Sequence, residues 1–198
     1  RLHLGDVLIL LGSEIIREVE AGNICISDFD PSRCGPNSYD LTLQSVLFCY
    51  MQDELDMNKS NPVRRIDIPE EGYVLVPGEF YIGATNETAT SKKYVPLLEG
   101  RSSIARLGIT VHAASGYGDL WWGYDHNDCE LFPTWTLELS VIKPIRIYAN
   151  RRVCQAIFVT PQGDPNDPRN RYPGKYSAQK LPQPSLMWKD ADVQQATS

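Results

Sequence analysis

The apolar positions Val7, Leu8, Leu11, Ile15, Ile16 and Val19 recur at helical spacing, so the chain is predicted to open with an amphipathic helical lead over residues 1–23. Ser13 stands as a candidate N-cap before Glu14, and Gly22 as the stop. From Ile24 onward the period changes. Short runs rich in Val, Ile, Tyr and Thr (39–48, 73–76, 80–84, 109–112, 135–141, 144–148 and 153–159) alternate with Gly, Pro, Asn and Asp. This predicts a mainly β domain of many short strands, a distorted β-barrel or jelly roll. The stretch EGRSSIARLG (99–108) interrupts it and reads as one or two helical turns, capped by Ser102 or Ser103 and closed by Gly108. After Val159 six prolines fall between 161 and 184, so residues 161–198 are expected to form an extended tail that packs on something else.

A length of 198 residues fits one domain over 1–198, large enough to bury a core without disulfides or metals. Nineteen basic against 25 acidic residues give a net charge of -6, which argues against a nucleic-acid polymer as partner but leaves room for a local basic pocket. Five widely spaced cysteines, with no C-x-x-C, favour reduced thiols in a cytoplasmic setting. The apolar run around Val7–Leu11 is far too short to span a bilayer and has no charged leader before it, so neither membrane nor targeting is expected.

Several devices of nucleotide chemistry are absent. No histidine is followed by Glu at the second position, and there is no P-C-x-x-C, so the zinc deaminase signature is missing. Walker and Rossmann glycine patterns are missing too. The densest polar cluster is Gly100–Arg106. Two hydroxyls and two guanidiniums on a tight turn suit an anion, and equally suit a capped surface helix with solvated arginines. In TWTLELSV, Thr136, Glu138 and Ser140 share one strand face while Trp135, Leu137, Leu139 and Val141 fill the other. Glu138 is bland if that face meets solvent, and a candidate general base if it lines a cleft between subunits. His112 reads first as a packed, hydrogen-bonded histidine. Trp121 and Trp122 read as packing, or as a surface that stacks on a base or excludes a ribose hydroxyl. His126–Cys129 reads as a solvated hairpin tip rather than a metal site.

GRSSIARLGITVH, followed by TLEL and RIYANRRVCQAIF, resembles the dCTP deaminase branch of the dUTPase superfamily. GPNSYDLTL (Gly35–Leu43) is similar to that family's N-terminal strand motif. GKYSAQKLPQPSL (Gly174–Leu186) is similar to the nucleotide-covering tail of its bifunctional, dUMP-forming members. The resemblance implies a dUTPase-type fold and a homotrimer with three shared active sites, acting on dCTP or dUTP with Mg²⁺ carried by the triphosphate rather than by protein side chains. It implies that Arg101 and Ser103 contact phosphates, Ser102 holds the attacking water, Arg106 assists at the base and Glu138 shuttles the proton. Lys175 and Gln179 would close over the nucleotide. Deamination at C4 needs an activated water, a proton for N3 and charge stabilisation, and these groups could supply all three without zinc.

The chain departs from the family pattern after His112. Glu138 lies nineteen residues past Asp119 where the family has about ten, so either an insertion follows Asp119 or Asp128 takes the aspartate's place; the string Ser115-Gly116-Tyr117 favours Asp119. Ala114 replaces the family threonine. Gly116 with Asp119 is similar to the family members that go on to dUMP, so the resemblance implies hydrolysis as well, with Asp119 holding a second water. The alternatives are a dUTPase without deaminase activity and a catalytically silent nucleotide-binding regulator.

Overall fold

In a computed structural model, residues 8–113, 116–190 and 192 are described; residues 1–7 (Val7 of the helical lead among them), Ala114, Ser115, 191 and 193–198 lie outside the described residues. The elements are α1 (Gly12–Glu20), β1 (Ile24–Ile26), β2 (Tyr39–Thr42), β3 (Val46–Tyr50), β4 (Val63–Asp67), β5 (Tyr73–Leu75), β6 (Tyr81–Ala84), β7 (Ala89–Ser91), β8 (Val95–Gly100), α2 (Ser102–Arg106), β9 (Ile109–His112), β10 (Thr136–Val141), β11 (Ile145–Ile147) and β12 (Arg152–Val159). The mainly β expectation holds. The strands form four sheets, β1-β7, β4-β3-β6-β10-β9, β11-β5 and β2-β12-β8, and do not close into one continuous barrel.

The five-stranded sheet is antiparallel at every pairing, and β10 lies between β6 and β9. Alternation along β10 sends Leu137 and Leu139, at 0% and 2% exposure, into the core with Tyr39, Leu41, Leu43, Leu47 and Phe158. In β12 the same period buries Cys154, Ala156 and Phe158 between β2 and β8. Both ladders follow from side chains pointing to opposite faces at successive residues.

The helical lead starts later than its apolar spacing predicts. Residues 8–11 are extended: Ile9 bridges Val159, Leu10 N–H donates to the Phe158 carbonyl at 2.9 Å, and Thr160 N–H donates back to Leu8. The end of β12 offers these residues a ladder partner, and a ladder satisfies more backbone groups than one frayed turn would. Ser13 is not the cap. The cap position is Leu11, without a side-chain bond, and Gly12 N–H instead donates to the Pro36 carbonyl at 2.8 Å. In α2 neither Ser102 nor Ser103 caps, because Arg101 holds that position and the serines fall in the first turn with exposed side chains. Gly22 and Gly108, at φ 73° and 80°, follow the two helices as expected of left-handed closing residues.

No helix among the described residues is long and apolar enough to cross a membrane. All five cysteines are free, with Cys129 exposed and Cys49 and Cys154 buried. Burial, aided by the Glu130 carboxylate, pushes the Cys25 thiol up to about 12; burial, aided by Glu79, pushes Cys49 up to about 11; and burial raises Cys154 as well. These thiols stay protonated near neutral pH, so their reactivity is suppressed. In a thiol titration of native protein at pH 8, Cys129 should react first, and Cys25, Cys49 and Cys154 should react only after denaturation. Rapid modification of three or more thiols in the native state would contradict this burial.

Candidate active site

Glu138 owes its position to the register of β10. It stands opposite Ile82 of β6 on one side and His112 of β9 on the other. Cross-strand partners at such positions bring their side chains together, and Glu138 Oε2 lies 3.1 Å from His112 Nδ1. His112 is hydrogen-bonded as expected but is not packed, since its side chain is 60% exposed.

Asp119 reaches the same cavity along another path. After β9 the chain runs beside β8: Tyr117 bridges Leu97, and Gly118 N–H donates to the Pro96 carbonyl at 2.6 Å. A Cβ on residue 118 would sit 2.3 Å from the Trp135 ring, so only glycine lets the backbone pass over that indole. Trp135 is itself fixed by an Nε1 donation to the Ala89 carbonyl at 2.9 Å and by its backbone N–H to Thr85 Oγ1 at 3.0 Å. The cavity, of about 460 Å³, is lined by both carboxylates, by Trp122, Tyr50 and Ile82, and by Gln179 of the tail. Asp128 is not there. It lies on the exposed 125–129 turn, at φ 62°, paired with Arg171 at 2.6 Å. The geometry therefore unites Asp119, and not Asp128, with Glu138.

The residues between Asp119 and Glu138 form a platform for the tail. Trp121 Nε1 donates to the Pro165 carbonyl at 2.8 Å, Trp122 Nε1 to Tyr176 at 3.3 Å, and Tyr172 N–H to Leu120 at 3.1 Å. Thr134 and Gln179 exchange two bonds: Thr134 N–H donates to the Gln179 carbonyl at 2.9 Å, and Gln179 Nε2 donates to the Thr134 carbonyl at 2.8 Å. The Arg171 guanidinium lies 3.9 Å from the Trp121 ring centre. The tail thus lines the cavity of the same chain. Trp122 stacks obliquely on Trp135, with ring centres 4.5 Å apart, and walls the cavity, whereas Trp121 serves packing. Lys175 is held in an ion pair with Asp190 of the same tail. The 126–129 stretch is a solvated tip, closed by Asp125 accepting from the Asn127 and Cys129 amides.

Arg101, Ser102, Ser103 and Arg106 are not among the residues lining this cavity. Ser102, Ser103 and Arg106 are exposed, and Arg101 Nε lies 2.9 Å from Asp40 Oδ1. Within one chain, the basic turn and the two carboxylates are separate clusters. Sequence reasoning missed His112 as the partner of Glu138 and Asp40 as the partner of Arg101. The cross-strand pair becomes visible only once β9 and β10 are in register, and GPNSYDLTL carried Asp40 without assigning it a task.

A mainly β chain thus sets two carboxylates against aromatic walls in one cavity, beside its own tail. Residues 9–160 match the family model described as dCTP deaminase-like, and the chain belongs to that family. It is 42% identical over 184 residues to a protein from Clostridium beijerinckii named dCTP deaminase, dUMP-forming, with 92% of this chain and 98% of the relative covered. A protein of the same name from Clostridium botulinum is 44% identical over 184 residues, with the same coverage. The fold is similar to the crystal structure of 2′-deoxycytidine 5′-triphosphate deaminase from Agrobacterium tumefaciens, at TM-score 0.58 and 20% identity, over 78% of this chain and 49% of that one.

The tail contacts give a direct test. Trp122→Phe keeps a ring against Trp135 but removes the donor to Tyr176, which should cost about 1 kcal/mol and speed tryptic cleavage after Lys175 or Lys180 by about fivefold. Cleavage at the wild-type rate would show that this bond does not hold the tail.

Proposed function

We propose that the protein deaminates the cytosine of dCTP to dUTP and then hydrolyses dUTP to dUMP and pyrophosphate, in pyrimidine deoxynucleotide metabolism. The observation that carries this is the pairing of Glu138 with Asp119 in one cavity, in a chain 42% identical to a relative named for dCTP deamination with dUMP formation. Two carboxylates on separate elements allow two waters to be activated independently.

In the first step Glu138 takes a proton from a water held by Ser102, the water adds to C4, and the proton passes to N3. Glu138 then carries the C4 hydroxyl proton to the exocyclic amine, and ammonia leaves as C4 returns to a planar carbonyl. His112, beside Glu138 Oε2, orients the carboxylate, and Arg106 stabilises the charge on the tetrahedral ring. In the second step Asp119 directs a water to the α-phosphate, and pyrophosphate departs with its charge met by Arg101, Ser103 and Lys175. For that role Lys175 must exchange Asp190 for phosphate oxygens, while Gln179 holds the tail closed.

The substrate is the Mg²⁺ complex of the nucleotide. Among the described residues no group of three or more His, Cys, Asp or Glu is arranged to hold a metal, whereas Mg²⁺ on phosphate oxygens keeps most of its waters and needs few protein ligands. A zinc-activated water would need a histidine and two thiolates, a donor set not assembled among the described residues, and Glu138 takes that role. The basic turn lies apart from the cavity within one chain, which supports a homotrimer in which a neighbouring subunit brings Arg101, Ser102 and Arg106 to Glu138.

Products formed from dCTP test the two steps separately. Asp119→Asn should accumulate dUTP without pyrophosphate release, whereas Glu138→Gln should lose deamination by about a thousandfold or more yet still hydrolyse added dUTP. Asp128→Asn should behave as wild type. Wild-type protein that stops at dUTP would restrict the activity to deamination, and hydrolysis of dUTP without any attack on dCTP would make it a dUTPase.

Light scattering at assay concentration should give about three times 22.3 kDa. A fully active monomer would refute the shared site.

A further inference from the structure

We propose that Asp40 is a positioning residue that holds the Arg101 guanidinium for the triphosphate; the inference rests on the reading that Arg101 binds phosphate. Asp40 lies on β2, Arg152 begins β12 and Arg101 directly follows β8, and these are the three strands of one sheet in the order β2-β12-β8. One carboxylate serves both arginines. Its Oδ1 is 2.9 Å from Arg101 Nε and its Oδ2 is 3.2 Å from Arg152 Nη1. The Asp40 side chain is only 15% exposed, so the contact is shielded from solvent more than a rim ion pair.

Asp40 is itself anchored. Its carbonyl accepts from Arg33 Nη2 at 2.6 Å and Nε at 3.1 Å. Arg33 is paired at 2.6 Å with Glu87, which also accepts from Thr42 N–H at 2.8 Å and Thr42 Oγ1 at 2.6 Å. Glu87 is 4% exposed. A chain of charged contacts therefore runs from a buried carboxylate, through the backbone of β2, to the Nε side of Arg101.

Two physical effects oppose each other at Asp40. Its negative charge beside a phosphate contact repels the anion, while its grip on Nε fixes a long, otherwise mobile side chain. If charge dominates, Asp40→Asn should tighten dCTP binding. If positioning dominates, it should weaken binding, and only while Arg101 is present. The second outcome is expected, because the planar guanidinium acts through geometry as well as charge.

The test is a double-mutant cycle on full-length protein with Mg²⁺ and dCTP, read as KM and kcat for deamination, with melting temperature and oligomeric mass as controls. Arg101→Ala should raise KM by about 30-fold. Asp40→Asn should raise KM by about 5- to 10-fold with kcat within about twofold, and should add less than about twofold in the Arg101→Ala background. Should Asp40→Asn fail to fold, Asp40→Glu keeps the charge but displaces the guanidinium, and the same cycle applies with a rise of about threefold or more. An unchanged or lowered KM in the Asp40 variant, or equal effects in both backgrounds, overturns the positioning role while leaving Arg101 as a phosphate contact. A silent Arg101→Ala overturns the underlying reading as well.

Discussion

The site depends on the register of β10. Leu137 and Leu139 must enter the core for Thr136 and Glu138 to face the cavity, and a slip of one residue would exchange the two sets. Close packing behind the strand guards against that slip. A Cβ at Gly83 would lie 3.1 to 3.3 Å from Leu43, Leu47 and Leu139, so β6 packs tightly against the core there. Hydrogen-bonded neighbours on both edges leave β10 no alternative pairing. The same register sets His112 opposite Glu138, so backbone pairing and carboxylate orientation are one constraint.

The second level of construction is the platform between Asp119 and Glu138. It supplies the tail with indole donors, backbone carbonyls and a cation–π contact, while Trp122 faces the cavity and the tail together. Such contacts are individually modest but act on one proline-rich segment, whose restricted backbone has less entropy to lose on docking. A tail that is largely in place before a ligand arrives gives up less freedom on closing over it. The platform therefore links the cavity wall to the cover above it, through residues that a shorter connection would not contain.

The alternation in TWTLELSV, the EGRSSIARLG turn and the proline-rich tail were legible because each is a local pattern: period 2, a polar break closed by glycine, and a run that cannot join a ladder. Four strands were missed. Ile24–Ile26 and Ala89–Ser91 are three residues each, too short for a period to show, and Val63–Asp67 carries two arginines and an aspartate along its edge. Val95–Gly100 opens with a proline at its second position and runs directly into the basic turn. The α1 cap was misassigned because Pro36 satisfies that helix from a distant loop, and no local rule contains that loop. The aspartate ambiguity had the same origin: spacing alone favoured Asp128 as readily as Asp119. What separates them is Gly118 passing over Trp135, a contact across seventeen residues of sequence.

A chain with net charge -6 must recruit a polyanion by local rather than global field. Around β2 three arginines (Arg33, Arg101 and Arg152) meet two carboxylates, Asp40 and Glu87. Glu87 is committed to Arg33 and to Thr42 in the interior, so Asp40 alone is divided between the other two cations. Sharing leaves the Arg101 and Arg152 guanidiniums with only one carboxylate oxygen each where strands β12 and β8 meet the basic turn. With screening over about 8 Å at physiological ionic strength, the near arginines outweigh distant carboxylates for a ligand that has reached the turn. The arrangement thus reconciles an acidic protein with an anionic substrate.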